Sequence, residues 1–235
     1  MWYKVKKIYV GDKLIYPMWK VNDNTILYLP LENNATDYSW RSISTTASWI
    51  SYTTIWWVKA CSTGNPWYIT INQDWFFNWK TISEWCVSLL YYLPSQTSAR
   101  RTIFEFRNKN YYACSLITPS NDQSKLTFWY WWRNLSNISL SFWQWVHLVV
   151  TWDSSSITAY VNGNAVASWT TFNSNFWLWD FTESWWENQT LFYLKRSSNY
   201  PFNWYVREFI VESRKWDAAE VEAYNRYIRQ KLWIS

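Results

Sequence analysis

From Trp145 to Trp152 the chain alternates with a period of two: Val146, Leu148, Val150 and Trp152 share one side, His147 and Thr151 the other. That period belongs to a β-strand with one face buried, so the segment reads as a half-buried antiparallel strand. Further strands are expected over Tyr3–Val10, Lys13–Tyr16, Ile26–Leu29, Tyr68–Ile71, Val87–Leu93, Thr102–Phe106, Tyr111–Ile117 and Lys125–Tyr130. Ile157–Val161, Ala165–Ala167, Leu191–Leu194 and Tyr205–Val211 complete the set, with Asn162-Gly163 as a two-residue hairpin turn. Residues 31–57 are mostly Ser, Thr, Asn and Trp and read as loop with little strand. One helix is expected over Asp217–Leu232. Asp217 and Glu220 have the spacing of a capping box, and Val221, Tyr224, Ile228 and Leu232 form one apolar stripe. Glu222 and Arg226 can pair one turn apart. Many strands, close turns and one terminal helix make an all-β chain: an antiparallel two-sheet β-sandwich or jelly roll, with an N-terminal β-hairpin and one C-terminal α-helix. A polar linker ending at Asn24 divides an attachment segment, residues 1–24, from a sandwich, residues 25–235.

Composition changes this picture at the turns. The chain has 24 Trp and 3 Gly, where about 16 Gly are expected at roughly 7% usage. Asn78-Trp79 and Asn203-Trp204 stand where Asn-Gly makes a hairpin turn, and Pro66-Trp67 where Pro-Gly makes a type II turn. Glycine enters the left-handed backbone region freely and a bulky residue does not. Most of these tryptophans therefore read as glycines in the source, encoded by UGA that the source reads as Gly and another genetic code reads as Trp. Trp145, Trp152 and Trp216 are the exceptions, set in an apolar run or before the helix cap. The run Trp129–Arg133, a stacking platform as written, then becomes a loop, and no nucleic-acid binding is expected.

Charge and cysteine usage add little. The net charge is +5, and the early lysines Lys4, Lys6, Lys7, Lys13 and Lys20 read as a solvated strand face. Cys61, Cys86 and Cys114 lack metal-ligand spacing and read as buried free thiols. The start of the chain has no signal-peptide pattern and no stretch of 18 apolar residues occurs, so no membrane span is expected.

The segment Trp145-Val146-His147-Leu148-Val149-Val150-Thr151-Trp152-Asp153, followed by Tyr160-Val161-Asn162-Gly163, resembles the laminin-G-like, concanavalin-A-like jelly-roll family. So does Phe202-Asn203-Trp204-Tyr205-Val206-Arg207-Glu208-Phe209 with the helix start Ala219-Glu220-Val221, and so does Leu29-Pro30-Leu31-Glu32 with Asp37-Tyr38-Ser39-Trp40. Trp204 and Trp40 both fall on a family glycine. The resemblance implies loop-edge glycan binding, for which Asp180, Asn188 and Arg196 are the candidates. It also implies calcium held by loop oxygens, with Asp180, Glu183 and Glu187 as candidate ligands. Family glycosidases carry a close carboxylate pair along one strand. That pattern is missing here, so no catalytic residue is assigned and the chain is expected not to be an enzyme. Glu208 and Glu212 read as surface or cap partners, and His147, the single histidine, as a residue that orders the sheet. The opening Lys6–Pro17 is similar to short N-terminal segments of phage structural and tail-associated proteins. That similarity implies a virion protein, joined to other virion parts through residues 1–24 and offering its sandwich to host-surface glycans or as surface decoration. The alternative is an adhesion or carbohydrate-binding module on a bacterial cell surface.

Overall fold

The structure is a computed structural model that describes residues 8–10, 13–16, 21–48, 50–63, 68–71, 84–95, 102–107, 112–117, 124–130, 133–153, 155–169, 189–191 and 204–234. The described residues form two antiparallel sheets, a small hairpin and one helix. The hairpin pairs β1 (Ile8–Val10) with β2 (Lys13–Tyr16). The rest of the expected first strand lies outside the described residues.

The larger sheet contains β3 (Thr25–Leu29), β5 (Ser51–Ile55), β6 (Val58–Thr63), β8 (Trp85–Tyr92), β13 (Trp145–Trp152), β14 (Ile157–Val161), β15 (Asn164–Trp169) and β17 (Trp204–Glu212). Its order is β15-β14-β13-β8-β17-β6-β5, and β3 pairs with the C-terminal half of β17. The other sheet contains β4 (Thr45–Ser48), β7 (Tyr68–Ile71), β9 (Thr102–Arg107), β10 (Tyr112–Ile117), β11 (Lys125–Tyr130), β12 (Arg133–Ser139) and β16 (Gln189–Leu191), in the order β12-β11-β10-β9-β16-β7-β4.

The main core lies between the sheets. Val146, Leu148, Val150 and Trp152 enter it as the alternation requires, with Val87, Leu89 and Tyr91 of β8 and Phe128 of β11. The register across β13 and β8 is unbroken from Trp145↔Tyr92 to Trp152↔Trp85. One expectation needs correction. β13 is buried on both faces, because Trp145 and Val149 belong to a second apolar cluster beneath the helix.

That helix, α1 (Ala218–Leu232), starts where the sequence places it. Asp217 caps it, with its carboxylate accepting from the Glu220 N–H and the Glu220 carboxylate accepting in return. Val221, Tyr224 and Ile228 are buried against the larger sheet, and Leu232 packs at its margin. Glu222 and Arg226 pair at 3.5 Å. The end is a Schellman turn: the Ile234 N–H reaches the Arg229 carbonyl, the Trp233 N–H that of Gln230.

Two further expectations fail for identifiable reasons. Residues 31–57 are not all loop. They hold β4 and β5, with β6 beginning at Val58. Both strands are sheet edges built from Ser, Thr and Tyr, so they lack the apolar alternation that marks a buried strand. β12 was also not expected. A bulge between β11 and β12 leaves its buried residues, Leu135 and Ile138, three apart and hides the period of two. Trp204 is not in a turn; it opens β17, is buried, and its ring stacks on Tyr91 at 4.7 Å.

Candidate functional site

The two outer faces of the sandwich differ. On the helix side, the residues that carry the motif patterns are engaged in holding α1 to the sheet. The Glu208 carboxylate accepts from the hydroxyls of Tyr28 on β3 and Tyr224 on α1. The Glu212 carboxylate accepts from Trp216 Nε1 at 2.6 Å, from Thr25 Oγ1 at 3.2 Å and from Arg214 Nε at 2.8 Å. Both carboxylates are buried. The expectation that they are surface groups is therefore corrected, although Glu212 does serve the chain entering the helix cap. A carboxylate can be buried only with such donors around it. Burial, and then the Glu208 charge, raise the Tyr28 phenol well above its ordinary range.

His147 is wholly buried. Its Nε2 lies 2.9 Å from Ser88 Oγ, and its ring edge meets Tyr224. Burial pushes the imidazole down to about 3; the side chain of Asn225 opposes that shift and Arg229 adds to it. The backbone of His147 is tied to Asn162 in both directions, to its backbone N–H and to its side-chain Oδ1. Asn225 on α1 then donates to the Asn162 carbonyl at 3.0 Å. Gly163 has φ +86°, and a Cβ there would lie 3.2 Å from Asn225 Nδ2. The His–Asn–Gly pattern thus seats the helix on the hairpin turn. Asn225 was not found by the sequence reading, because a lone Asn on a helix stripe gives no signal. The third motif is likewise structural: buried Asp37 accepts from the backbone of Tyr28, Ser39 and Ile43 and from Ser39 Oγ. Arg207 donates to the Pro30 carbonyl and to Glu32.

Across the seven-stranded sheet the register aligns a different set. Thr46 of β4 faces Thr70 of β7, which faces Thr190 of β16; Thr190 faces Glu105 of β9. Glu105 faces Ser115 of β10, Ser115 faces Trp129 of β11, and Trp129 faces Asn134 of β12. The row one residue over is Ile69, Leu191, Phe104, Leu116, Phe128 and Leu135, of which Ile69, Phe128 and Leu135 are buried between the sheets. Pleating alternates adjacent rows between the faces of a sheet; of the first row, Thr46 is exposed. Six interstrand steps make it about 29 Å long, at about 4.8 Å each. Among the described residues, the helix lies on the other sheet. By residue type the row holds three threonines, a serine, a glutamate, an asparagine and Trp129.

The loop residues the sequence singled out, Asp180, Glu183, Glu187, Asn188 and Arg196, lie outside the described residues. In the sequence, the first four precede β16 directly. Among the described residues, no group of three or more His, Cys, Asp or Glu is placed to hold a metal ion. Cys61 and Cys86 are free and buried; burial pushes the Cys61 thiol up to about 12. No helix among the described residues is long and apolar enough to cross a membrane.

Comparison with known proteins fits this architecture. A search of curated protein sequences finds no match. Among solved structures, the binding domain of botulinum neurotoxin DC, in complex with rat synaptotagmin II, is similar at a TM-score of 0.66 and 14% identity over 88% of this chain. A botulinum neurotoxin type C structure, described by the dependence of cell entry on two ganglioside molecules, matches at a TM-score of 0.63 and 14% identity over 90% of this chain. A mutant Trypanosoma rangeli sialidase displaying trans-sialidase activity matches at 0.63 and 10% over 90%. The chain spans 52% and 53% of the two toxin chains and 34% of the sialidase. At these identities the likeness is one of fold. The profile of the Laminin_G_3 family, Concanavalin A-like lectin/glucanases superfamily, matches residues 63–222, which include β13, the Asn162-Gly163 turn, β17 and the helix cap. This chain belongs to that family.

Proposed function

We propose that this chain is a non-enzymatic structural protein of a phage particle, whose sandwich binds saccharides of the host surface. Residues 1–24 attach it to other virion proteins, and residues 25–235 form the outward module. The observation that carries the saccharide reading is the polar row across the seven-stranded sheet. A sugar offers many hydroxyls at regular intervals, and a register row rich in hydroxyl, carboxylate and amide residue types suits them. The type C toxin, tied to gangliosides by its description, shares the fold. Glu208 and Glu212, the two carboxylates on one strand, are occupied with hydrogen bonds to the helix side, which favours binding over cleavage. Calcium at Asp180, Glu183 and Glu187 remains part of the proposal, with Asn188 and Arg196 as loop-edge sugar ligands.

The same reading takes the tryptophans at strained or exposed positions as glycines of the source. Trp56, Trp143 and Trp233 have φ of 59°, 61° and 54°, half of the six described non-glycine residues in that region. Such a conformation costs a bulky residue about 1–2 kcal/mol. Trp233 occupies the Schellman position that favours glycine. Trp56 opens the two-residue turn between β5 and β6, where a type II′ turn takes glycine. Trp145, Trp152 and Trp216 are buried, as genuine tryptophans would be, and so are Trp85 and Trp204.

Peptide masses from native particles test the glycine assignment position by position. A glycan array probed with the glycine-restored protein tests the function: binding to bacterial-surface saccharides is expected, and a blank array would reduce the protein to decoration. Capsid and tail genes beside its own are expected; an export signal or cell-wall anchor in the same reading frame would instead favour the cell-surface module.

A further inference from the structure

On one side of the sandwich the two sheets end in β4 and β5, separated only by residues 49 and 50. On the opposite side β12 packs against β15. Among the described residues, no strand pairs with the outer edge of any of these four. An edge strand offers unpaired backbone N–H and C=O groups to other chains, and folds blunt it with bulges, charges, proline or shortness. β12 and β15 each carry a bulge against the strand they pair with, and β12 opens on Arg133. β4 has four residues, and its first, Thr45, donates to the Ala35 carbonyl. β5 has none of these devices. Its register with β6 is unbroken from Ser51↔Ser62 to Ile55↔Val58, and residues 42–58 hold no charge and no proline. Ser51, Thr53 and Thr54 are exposed. The one charge in β6, Lys59, donates to Asn33 Oδ1. The turn fixes which backbone groups are free. Residues 56 and 57 join β5 to β6 as a two-residue turn, closed between Ile55 and Val58. Hydrogen-bonded pairs alternate along an antiparallel ladder. Ser51, Thr53 and Ile55 therefore bond to β6, and the N–H and C=O of Tyr52 and Thr54 point outward. β5 holds no tryptophan, so this edge is the same with glycine or indole in the turn.

We propose that a second copy of this chain pairs with this edge, β5 antiparallel to β5, about a twofold axis at Thr53. The outward groups then meet. Tyr52 pairs with the partner's Thr54 and Thr54 with the partner's Tyr52, each pair exchanging both of its N–H···O bonds. Thr53 faces the partner's Thr53 in the non-bonded position, where side chains lie closest. A twofold interface requires a strand that suits its own reverse. This one does: hydroxyl meets hydroxyl at the centre, a favourable cross-strand pair, and like charges meet nowhere. A strand of any other protein would find no charge on β5 to select it. The axis stands perpendicular to the sheet, so the two eight-stranded sheets become one and both seven-stranded sheets lie on the same side of it. A saccharide-bearing surface then meets both copies at once. That last consequence rests on the proposed function; the pairing itself does not.

The test is sedimentation equilibrium of the full-length glycine-restored chain, with melting curves recorded alongside. Two short strands make a small interface, so the mass is expected to climb from one chain toward two between about 1 and 100 µM. Thr54→Pro removes an outward N–H that β6 does not use, at the kind of edge position where proline is tolerated. It is expected to keep its melting transition and to associate at least about tenfold more weakly. Thr53→Lys and Thr53→Glu each set like charges face to face across the axis. Each alone is expected to remain a single chain, and an equimolar mixture of the two to dimerise. This pair carries the test even where the proline variant fails to fold. A parent that remains a single chain up to about 100 µM, variants that dimerise alone as the parent does, or a mixture that remains single would overturn the proposal.

Discussion

The two sheets are built from similar strands and meet opposite fates. The central strands of the eight-stranded sheet, β8, β13 and β17, are buried on both faces, by the other sheet and by α1. In the seven-stranded sheet, Ile69, Leu126, Phe128, Leu135 and Ile138 face the core, and the register aligns a second row of mostly polar residue types across the strands. The motif residues with described contacts serve the first. His147, Asn162, Gly163 and Glu208 seat the helix, and Asp37 orders the loop that follows β3. A family signature thus marks the joints that make the scaffold. The polar row of the other sheet carries none of these motif residues.

The largest expected effect comes from baring the clad sheet. Removing residues 217–235 exposes the cluster around Trp145, Val149 and Ile210 and deletes Val221, Tyr224 and Ile228. Large-to-small changes at such sites cost about 2–5 kcal/mol each, so the sum approaches the whole stability of a domain, about 5–15 kcal/mol. The truncated chain is expected to lose its cooperative thermal transition. An unchanged melting temperature would make the helix an external appendage and erase the contrast between the sheets.

Single substitutions sharpen the contrast. Leu148→Ala, between the sheets and fully buried, is expected to cost about 2–5 kcal/mol in urea unfolding. Thr46→Ala, at the exposed end of the polar row, is expected to stay within about 0.5 kcal/mol. Equal costs would show that the outer face of the smaller sheet is covered after all.

Next in size is a pH effect confined to the clad sheet. The His147 imidazole is held down to about 3, against an unfolded value of about 6.5. The folded state therefore refuses a proton that the unfolded chain accepts. Stability is full above about pH 6.5 and falls as pH drops toward 3, by about 1.4 kcal/mol per unit. Urea midpoints between pH 6.5 and 5 are expected to fall in the parent and stay level in His147→Gln. A parallel fall in both would place the titration elsewhere.

The helix and the strands facing the core were legible because each shows a period: β13, β14, β11 and β7 lie where the alternation puts them, and Asp217 caps α1 as its spacing with Glu220 requires. β4 and β5 were missed because edge strands of Ser and Thr bury too little to alternate, and β12 because a bulge broke its period. Of the site, little could be read. The polar row exists only through the register of seven strands distant in sequence, and Thr190 and Glu105 become neighbours only when β16 is inserted between β7 and β9.

The smallest expected effect concerns a turn. Trp233→Gly relieves a left-handed backbone at the helix end and is expected to stabilise the fold by about 1 kcal/mol. A destabilised variant would make Trp233 a residue that belongs there.

The most direct test of the account compares the polar row with the clad face in one binding assay. The glycine-restored protein and its Glu105→Ala and Asn134→Ala variants are measured against the strongest saccharide found on the array, with melting temperatures recorded alongside. The account predicts that each variant loses about tenfold or more in affinity while its melting temperature stays within about 2 °C of the parent. Undiminished affinity in both variants would contradict it, and would show that this face is scaffold too.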